Sequence, residues 1–435
     1  MSLIEKSLAA VKSAVFERGR LIYWLNIPAF RRSARKVEAR RRGEKLRLGF
    51  ILQVPNNWAV IQPVFEAAVA DEAVEPVVIL MPELEYRYYV RLEKVIWESV
   101  YAFGREQFPE NCGAEVVRAW DPETGTWLDP ASLRLDDVFI PRPYETYLPP
   151  AWRASHLRKI TRVCFVPYSS PLLDDYPLMY NMHFIRNVGR IFCEKKHSYD
   201  YVASRLAPTV KSGDQKVYDT GFPKFDGIRR GENQESPVWP RPRQPGVFRV
   251  LWTPRWTLDA RLGGSSFFTY KDQMIGWAEE DRSIDLVFRP HPLALDTYVR
   301  EGWMTAEEQQ EYLRRYEACE NAAVDRARTY FDTFFSSDVL ITDISSMLMD
   351  YLFTSRPILF CPTPAGKTMS DDPRFAVQSL MEGMYVVHSF EEIQEQVKKL
   401  AAGEDPKREA RARLARNMGR DGHIGRDILE ILKKG

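Results

Sequence analysis

The stretch SSDVLITDISSMLMDYLFTSRPILF, residues Ser336–Phe360, passes from one apolar segment through Thr-Asp-Ile-Ser-Ser into another. Val339, Leu340 and Ile341 form a short apolar run of the kind found in a strand buried on both faces. Leu348, Tyr351 and Leu352 recur at the spacing of one helix face. Between them, Asp343 or Ser345 can cap the helix. A strand that turns into a helix on small hydroxyl residues is a βα corner. The N–H groups of such a corner, the Ser345 and Ser346 hydroxyls and the helix dipole also suit a phosphate. A Ser or Asp cap needs no ligand, so capping and anion binding both stay open on these residues alone.

Working outward, the same alternation recurs on both sides. LRLGFILQV (46–54) and EPVVIL (75–80) predict strands flanking a helix in 56–70, and an aromatic run, 85–103, follows as a predicted helix. DDVFI (136–140) and RVCFV (162–166) predict further strands. The segment 231–246, GENQESPVWPRPRQPG, is dense in Pro, Gly and charge and predicts a linker. Beyond it, FRVLWT (248–253), SIDLVFR (283–289), SDVLIT (337–342), PILF (357–360) and MYVV (384–387) predict strands, with helix between them, including all of 305–335. The expected fold class is therefore α/β: two Rossmann-like domains facing a cleft, with a basic helical N-terminal extension. The expected divisions are a basic amphipathic segment 1–45 and Rossmann-like domains at 46–230 and 231–435.

Bulk composition narrows the class. Hydrophobic residues at 45% and charged residues at 28% of 435 residues describe a globular chain long enough for two or three domains. A net charge of +1 argues against wrapping nucleic acid. Five scattered cysteines without C-x-x-C spacing suit reduced thiols of a cytoplasmic protein. No apolar run approaches the ~20 residues that span a bilayer.

Charge is uneven, however: residues 1–47 are about nine charges positive. Leu3, Leu8, Val11, Val15, Leu21 and Trp24 fall at approximately helical spacing. Such a helix suits an anionic membrane surface, which would place the protein peripherally on the inner face of the membrane. It suits equally a solvated helix packed on its own protein.

Ligands of open α/β sheets bind beyond the carboxyl ends of the strands. In the second half those ends share a character. FRVLWT is followed by Pro254-Arg255-Trp256, SIDLVF by Arg289-Pro290-His291-Pro292, and DVLI by Thr342 and Asp343. A His held between two prolines, with an Arg two residues before it, can hydrogen-bond a phosphoryl oxygen and stabilise charge on a leaving group. The alternative is a structural His satisfied by a backbone carbonyl. Neither the P-loop nor the dinucleotide fingerprint follows a strand, and no G-x-S-x-G or H-E-x-x-H is present.

These segments resemble, in order, those of the CDP-glycerol glycerophosphotransferases, the teichoic-acid primases and polymerases. SDVLITDISSMLMDYLFTSRPILF is similar to their phosphate-binding segment, FRPHP (288–292) to their R-x-H-P, and LWTPRW (251–256) to their strand ending in P-T-W. TGFPKFD (220–226), with Gly221, Pro223, Lys224 and Asp226, resembles a turn beside their cleft, and GRDGHIGRDILEIL (419–432) their closing helix. The resemblance implies a GT-B-type architecture with the nucleotide in the C-terminal domain. It implies that His291 contacts the donor's diphosphate, that Arg289, Thr342, Asp343, Ser345 and Ser346 hold phosphate or ribose, and that Pro254, Arg255 and Trp256 line the cleft.

The family's acceptor-activating His lies in W-H-G-T-P-L. The corresponding stretch is PYSSPLL (167–173), which puts Tyr168 in its place and leaves His183, Asp174 and Asp175 as other candidates for the base. The implied reaction moves a polyol phosphate (glycerol- or ribitol-phosphate) from a CDP-linked donor to a hydroxyl of a surface polymer or lipid-linked acceptor. The donor is a substrate, no further cofactor is implied, and the sequence shows no carboxylate site for Mg2+. A GT-B glycosyltransferase using a nucleotide sugar, and a non-catalytic nucleotide-binding subunit, are the competing readings.

Overall fold

A computed structural model describes residues 27–435 apart from 40–43, 54–56, 92–93, 103–111, 146–147, 169–178, 230, 233, 257, 259–263, 328–329, 346, 364–377 and 419–421. The chain divides into two compact units: 1–169, 176–224 and 423–435 form one, and 225–422, with 170–175, the other. The division falls inside the helix Lys224–Arg229, a few residues before the expected boundary at 230.

The first unit holds a sheet of seven parallel strands: β1 Leu46–Leu52, β2 Val74–Leu80, β3 Glu115–Arg118, β4 Asp137–Phe139, β5 Arg162–Phe165, β6 Arg190–Cys193 and β7 Lys216–Asp219. Their order is β3-β2-β1-β4-β5-β6-β7. The second unit holds six: β8 Phe248–Thr253, β9 Ile284–Phe288, β10 Ala322–Val324, β11 Val339–Thr342, β12 Ile358–Phe360 and β13 Tyr385–Val386, in the order β10-β9-β8-β11-β12-β13. Each sheet starts mid-way, grows in one direction, then reverses, which is the doubly wound Rossmann order. The reversal lies between β1 and β4 in one unit and between β8 and β11 in the other. It leaves a crevice at the carboxyl ends of those strands.

Burial follows the sequence pattern. Leu340, Leu348, Tyr351, Leu352 and Phe360 of the opening stretch are buried in one cluster, as a strand–helix–strand reading requires. The other face of the second sheet packs Trp252, Phe267, Phe288 and Tyr298, with the Trp252 and Phe267 rings 5.8 Å apart and nearly parallel. The segment 231–246 is not a free linker. Trp239 is buried and donates to Ser336 Oγ at 2.7 Å, and Arg241 reaches the buried Asp285 at 2.5 Å.

Three expectations give way. The aromatic run 85–103 forms an antiparallel hairpin, Glu83–Arg91 with Lys94–Ala102, because its Tyr, Val, Ile and Trp residues favour a pleated surface. The helix expected throughout 305–335 ends at Ala318, yields to β10, and resumes at Phe331–Ser336. Residues 27–39 of the basic segment are helical and bury Ile27, Phe30, Ser33 and Val37, while Arg31 pairs with Asp214 at 2.8 Å. That portion packs on its own protein. Residues 1–26 lie outside the described residues.

The closing helix Ile424–Lys434 belongs by packing to the first unit, not to the second, where it was expected. It buries Ile424, Ile428, Leu429 and Leu432, and Lys433 pairs with Asp71 at 2.7 Å. A Cβ on Gly425 would sit 2.4 Å from the Pro63 carbonyl carbon of the helix Trp58–Val69. Gly425→Ala is therefore expected to destabilise the first unit by about 1–3 kcal/mol, the usual cost of overpacking, read as a lower urea midpoint. An unchanged midpoint would show that the helices separate freely.

Candidate functional site

The second unit gathers most of the predicted residues around the β8/β11 crevice. Thr253 and Thr342 face each other at the last paired position, and Thr342 Oγ1 donates to the Thr253 carbonyl at 2.7 Å. Thr342 is buried, so it closes the floor of the crevice. Pro254 is buried behind it.

Asp343 is wholly buried, and both carboxylate oxygens are engaged. Oδ1 accepts from the Arg255 N–H at 2.8 Å, and Oδ2 accepts from the Ser266 N–H at 2.7 Å and the Ser266 hydroxyl at 2.8 Å. Burial pushes its pKa up to about 6, against the lowering effect of Ser266 and Arg255. An anionic carboxylate committed to the loop after β8 shapes the corner and does not itself meet a phosphate. The Arg255 carbonyl is fixed from the other side by Ser265 Oγ at 2.6 Å and Tyr298 OH at 2.9 Å. The Arg255 guanidinium donates to the Ile344 carbonyl at 3.1 Å, which lays a positive charge along the β11 corner.

His291 leaves the end of β9. Its ring stacks on Trp256 with centroids 5.6 Å apart. Nδ1 accepts from the Leu293 N–H at 3.1 Å, which leaves the proton of the neutral ring on Nε2. Desolvation, and then the Arg255 charge, lower its pKa from the ordinary value, so at neutral pH the ring is uncharged. The tautomer presents one N–H donor, Nε2, which no described residue occupies.

Arg289 does not join it. Its guanidinium donates to the buried Asp325 at 2.5 Å and to the Ala327 carbonyl at 2.8 Å, and lies 4.9 Å from the centre of the Tyr330 ring. The charge is neutralised inside the fold, and the expected anion contact from Arg289 is replaced by a structural ion pair. Ser345 caps the helix Met347–Leu352: its hydroxyl accepts from the Met347 N–H at 3.2 Å and its carbonyl from the Leu348 N–H at 3.2 Å. Ser346 lies outside the described residues.

The remaining candidates belong elsewhere. Gly221 adopts φ +90° and, with Thr220, donates its N–H to the Cys193 carbonyl at 3.2 Å. Pro223 is buried, Lys224 opens the helix Lys224–Arg229, and Asp226 sits in its first turn. Tyr168, in the first unit, shares a hydrogen bond with Tyr144 at 3.0 Å, and Arg142 donates to Gln53 at 2.8 Å nearby. Burial and Tyr144 push the Tyr168 phenol well above its ordinary pKa. The phenol therefore keeps its proton at neutral pH even more firmly than a free one, and with almost no phenolate present it is unsuited to a base role. His183 is exposed in the short helix Met182–Ile185, and Asp174 and Asp175 lie outside the described residues. Sequence reasoning missed Ser265, Ser266 and Tyr298, which fix the loop after β8. The adjacent Gly-Gly-Ser-Ser was the available signal for the serines, whereas nothing local marks Tyr298.

A family model described as CDP-Glycerol:Poly(glycerophosphate) glycerophosphotransferase matches residues 184–429, more than half of the chain. The chain belongs to this family. It is accordingly a glycerophosphotransferase-family enzyme. Among solved structures, the wall teichoic acid polymerase TagF is 13% identical with a TM-score of 0.55, over 96% of this chain and 96% of that one. The S. aureus MnaA–UDP co-structure is 12% identical with a TM-score of 0.54, over 89% and 96%. UDP-GlcNAc 2-epimerase from Neisseria meningitidis bound to UDP-GlcNAc is 11% identical with a TM-score of 0.52, over 90% and 100%. These likenesses establish a GT-B-like fold with two parallel sheets. No curated protein matches the chain in sequence.

Asp343 also sets a pH dependence. A carboxyl whose folded pKa of about 6 lies above its ordinary 3.8 adds stability that is full below pH 4 and lost as pH rises through 6. Asp343→Asn is expected to flatten this segment of the second unit's stability profile, of order 2 kcal/mol, in urea titrations at pH 4 to 7. A variant that keeps the parent's slope would assign the titration to another group.

Proposed function

We propose that the protein transfers a polyol phosphate, glycerol- or ribitol-phosphate, from a CDP-linked donor to a hydroxyl of a cell-surface polymer or lipid-linked acceptor. The observation that carries this reading is the Nε2–H of neutral His291, held in one tautomer beside Arg255 and stacked on Trp256 in the family's own domain. The acceptor hydroxyl attacks the β-phosphorus, the new P–O bond forms as its proton passes to solvent or a phosphate oxygen, and the diphosphate P–O bond breaks with CMP as leaving group. His291 donates to the diphosphate oxygen on which charge grows, and Arg255 adds positive potential. The first unit is read as the acceptor domain, with Tyr168 as a hydrogen-bonding group on that side.

Incubation with CDP-glycerol or CDP-ribitol and a set of polyol-phosphate acceptors is expected to release CMP. Release of UDP from UDP-sugars instead would favour a glycosyltransferase. His291→Ala is expected to lower kcat by about 10²–10³-fold, as loss of one oxyanion donor does, with the fold retained. Polymer synthesis in cells undiminished by that substitution would leave only the reading of a non-catalytic nucleotide-binding subunit.

The basic N-terminus supports a peripheral place on an anionic membrane. Among the described residues no helix is long and apolar enough to cross a bilayer. Because 27–39 is packed, the test removes only residues 1–26. The shortened chain is expected to lose salt-sensitive binding to anionic vesicles. Undiminished binding would refute the assignment.

A further inference from the structure

Strands β5, β6 and β7 of the first unit open on Arg162, Arg190 and Lys216. The register sets Arg190 opposite Cys164 and Lys216 opposite Arg190, and Arg162 stands two residues before Cys164. With the period of two, all three cations project from one face of the sheet, at its amino-terminal edge. They line a cavity of about 600 Å³ together with Phe30 and Ala34 of the helix 27–39 and the exposed Lys434.

Acidic groups balance this cluster only in part, although Glu38 and Asp214 also line the cavity. Asp137 is wholly buried and bound through both oxygens by Arg162, at 3.0 and 2.5 Å. Arg190 is 4% exposed, stands 3.9 Å from that same carboxylate, and its Nη1 is buried without a hydrogen-bond partner. Lys216 Nζ donates to a main-chain oxygen of Gly435, the last residue of the sequence, at 2.9 Å. Asp214, also on the rim, is taken by Arg31. Desolvation, then the charges of Arg190 and Arg162, lower the Lys216 pKa from its ordinary value. A buried guanidinium N–H without an acceptor is costly, and an anion in the cavity would relieve it.

We propose that this cavity is a second ligand site, which binds a phosphate mono- or diester through Arg190 and Lys216. Phe30 and Ala34 supply an apolar wall beside the cations, suited to the carbon skeleton of a glycerophosphate. The group's source is either a phospholipid headgroup or a soluble glycerophosphate. The site lies within the first unit and does not rest on the donor reading, so it can fail or stand alone.

Calorimetric titration of the full chain with inorganic phosphate and with glycerol phosphate tests it, alongside sedimentation with phosphatidylcholine vesicles with and without phosphatidylglycerol. Titrations of His291→Ala separate this site from the donor crevice and are expected to retain the binding. Lys216→Gln is expected to weaken the bound phosphate or vesicle about tenfold, as loss of a charge-assisted hydrogen bond does, and Arg190→Gln at least as much. Loss confined to the soluble esters assigns a soluble glycerophosphate, and loss confined to phosphatidylglycerol vesicles assigns a lipid headgroup. Lys216 is exposed, so its variant decides the matter even where Arg190→Gln does not fold. Binding equal to the parent in Lys216→Gln, or a parent that binds neither ester nor vesicle, overturns the proposal.

Discussion

The site in the second unit depends on one buried carboxylate. Asp343 stands where the chain leaves β11 and holds the segment that leaves β8, through the Arg255 N–H and both donors of Ser266. Burying a charge is costly unless donors surround it, and here three do. Their geometry fixes Arg255, and with it the neighbouring Trp256, on which the His291 ring stacks. The edge of the crevice that carries His291 is thus set by a residue that does not face it.

Charge is distributed around His291 with a similar division of labour. Arg289 is neutralised by Asp325 and covers Tyr330, so it stabilises the end of β9 without competing for a ligand. Arg255 keeps its charge near the imidazole and lowers its pKa. A ring already neutral at physiological pH donates one defined hydrogen bond. The same Leu293 N–H that fixes the tautomer disfavours a second proton on Nδ1, so the ring stays a single, defined donor.

Much of this was legible in the sequence, and the limits have physical causes. β1, β2, β8, β9 and β11 each carry an unbroken apolar run of three or four residues, Phe50–Leu52, Val77–Leu80, Val250–Trp252, Leu286–Phe288 and Val339–Ile341, as strands buried on both faces do. β3, β6 and β7 went unread because each holds only two or three apolar residues between charged ones: Glu115 and Arg118, Arg190 and Glu194, and Lys216 and Asp219. Helical and strand periods are hard to separate in a run as rich in Tyr, Val and Trp as 85–103, and the hairpin won through β-propensity. At the site, residue types were readable but their partners were not. Thr342, Asp343 and Arg289 all look anion-suited in one dimension, and only the fold shows that Thr253, Ser266 and Asp325 occupy them.

Under the proposed reaction, the character of Tyr168 is informative about the chemistry. Its phenol is half of a hydrogen-bonded pair with Tyr144, and burial raises its pKa, so it holds its proton through the working pH range. Transfer of a phosphoryl group through a loose transition state asks little of a base, because bonding to the leaving group is largely broken before the nucleophile gives up its proton. The demand falls on the leaving phosphate, where negative charge accumulates. Within the second unit, a pre-set N–H donor at His291 beside the guanidinium of Arg255 would answer that demand under the proposed reaction. In the first unit, a phenol that keeps its proton can serve as a hydrogen-bonding group but not as a base.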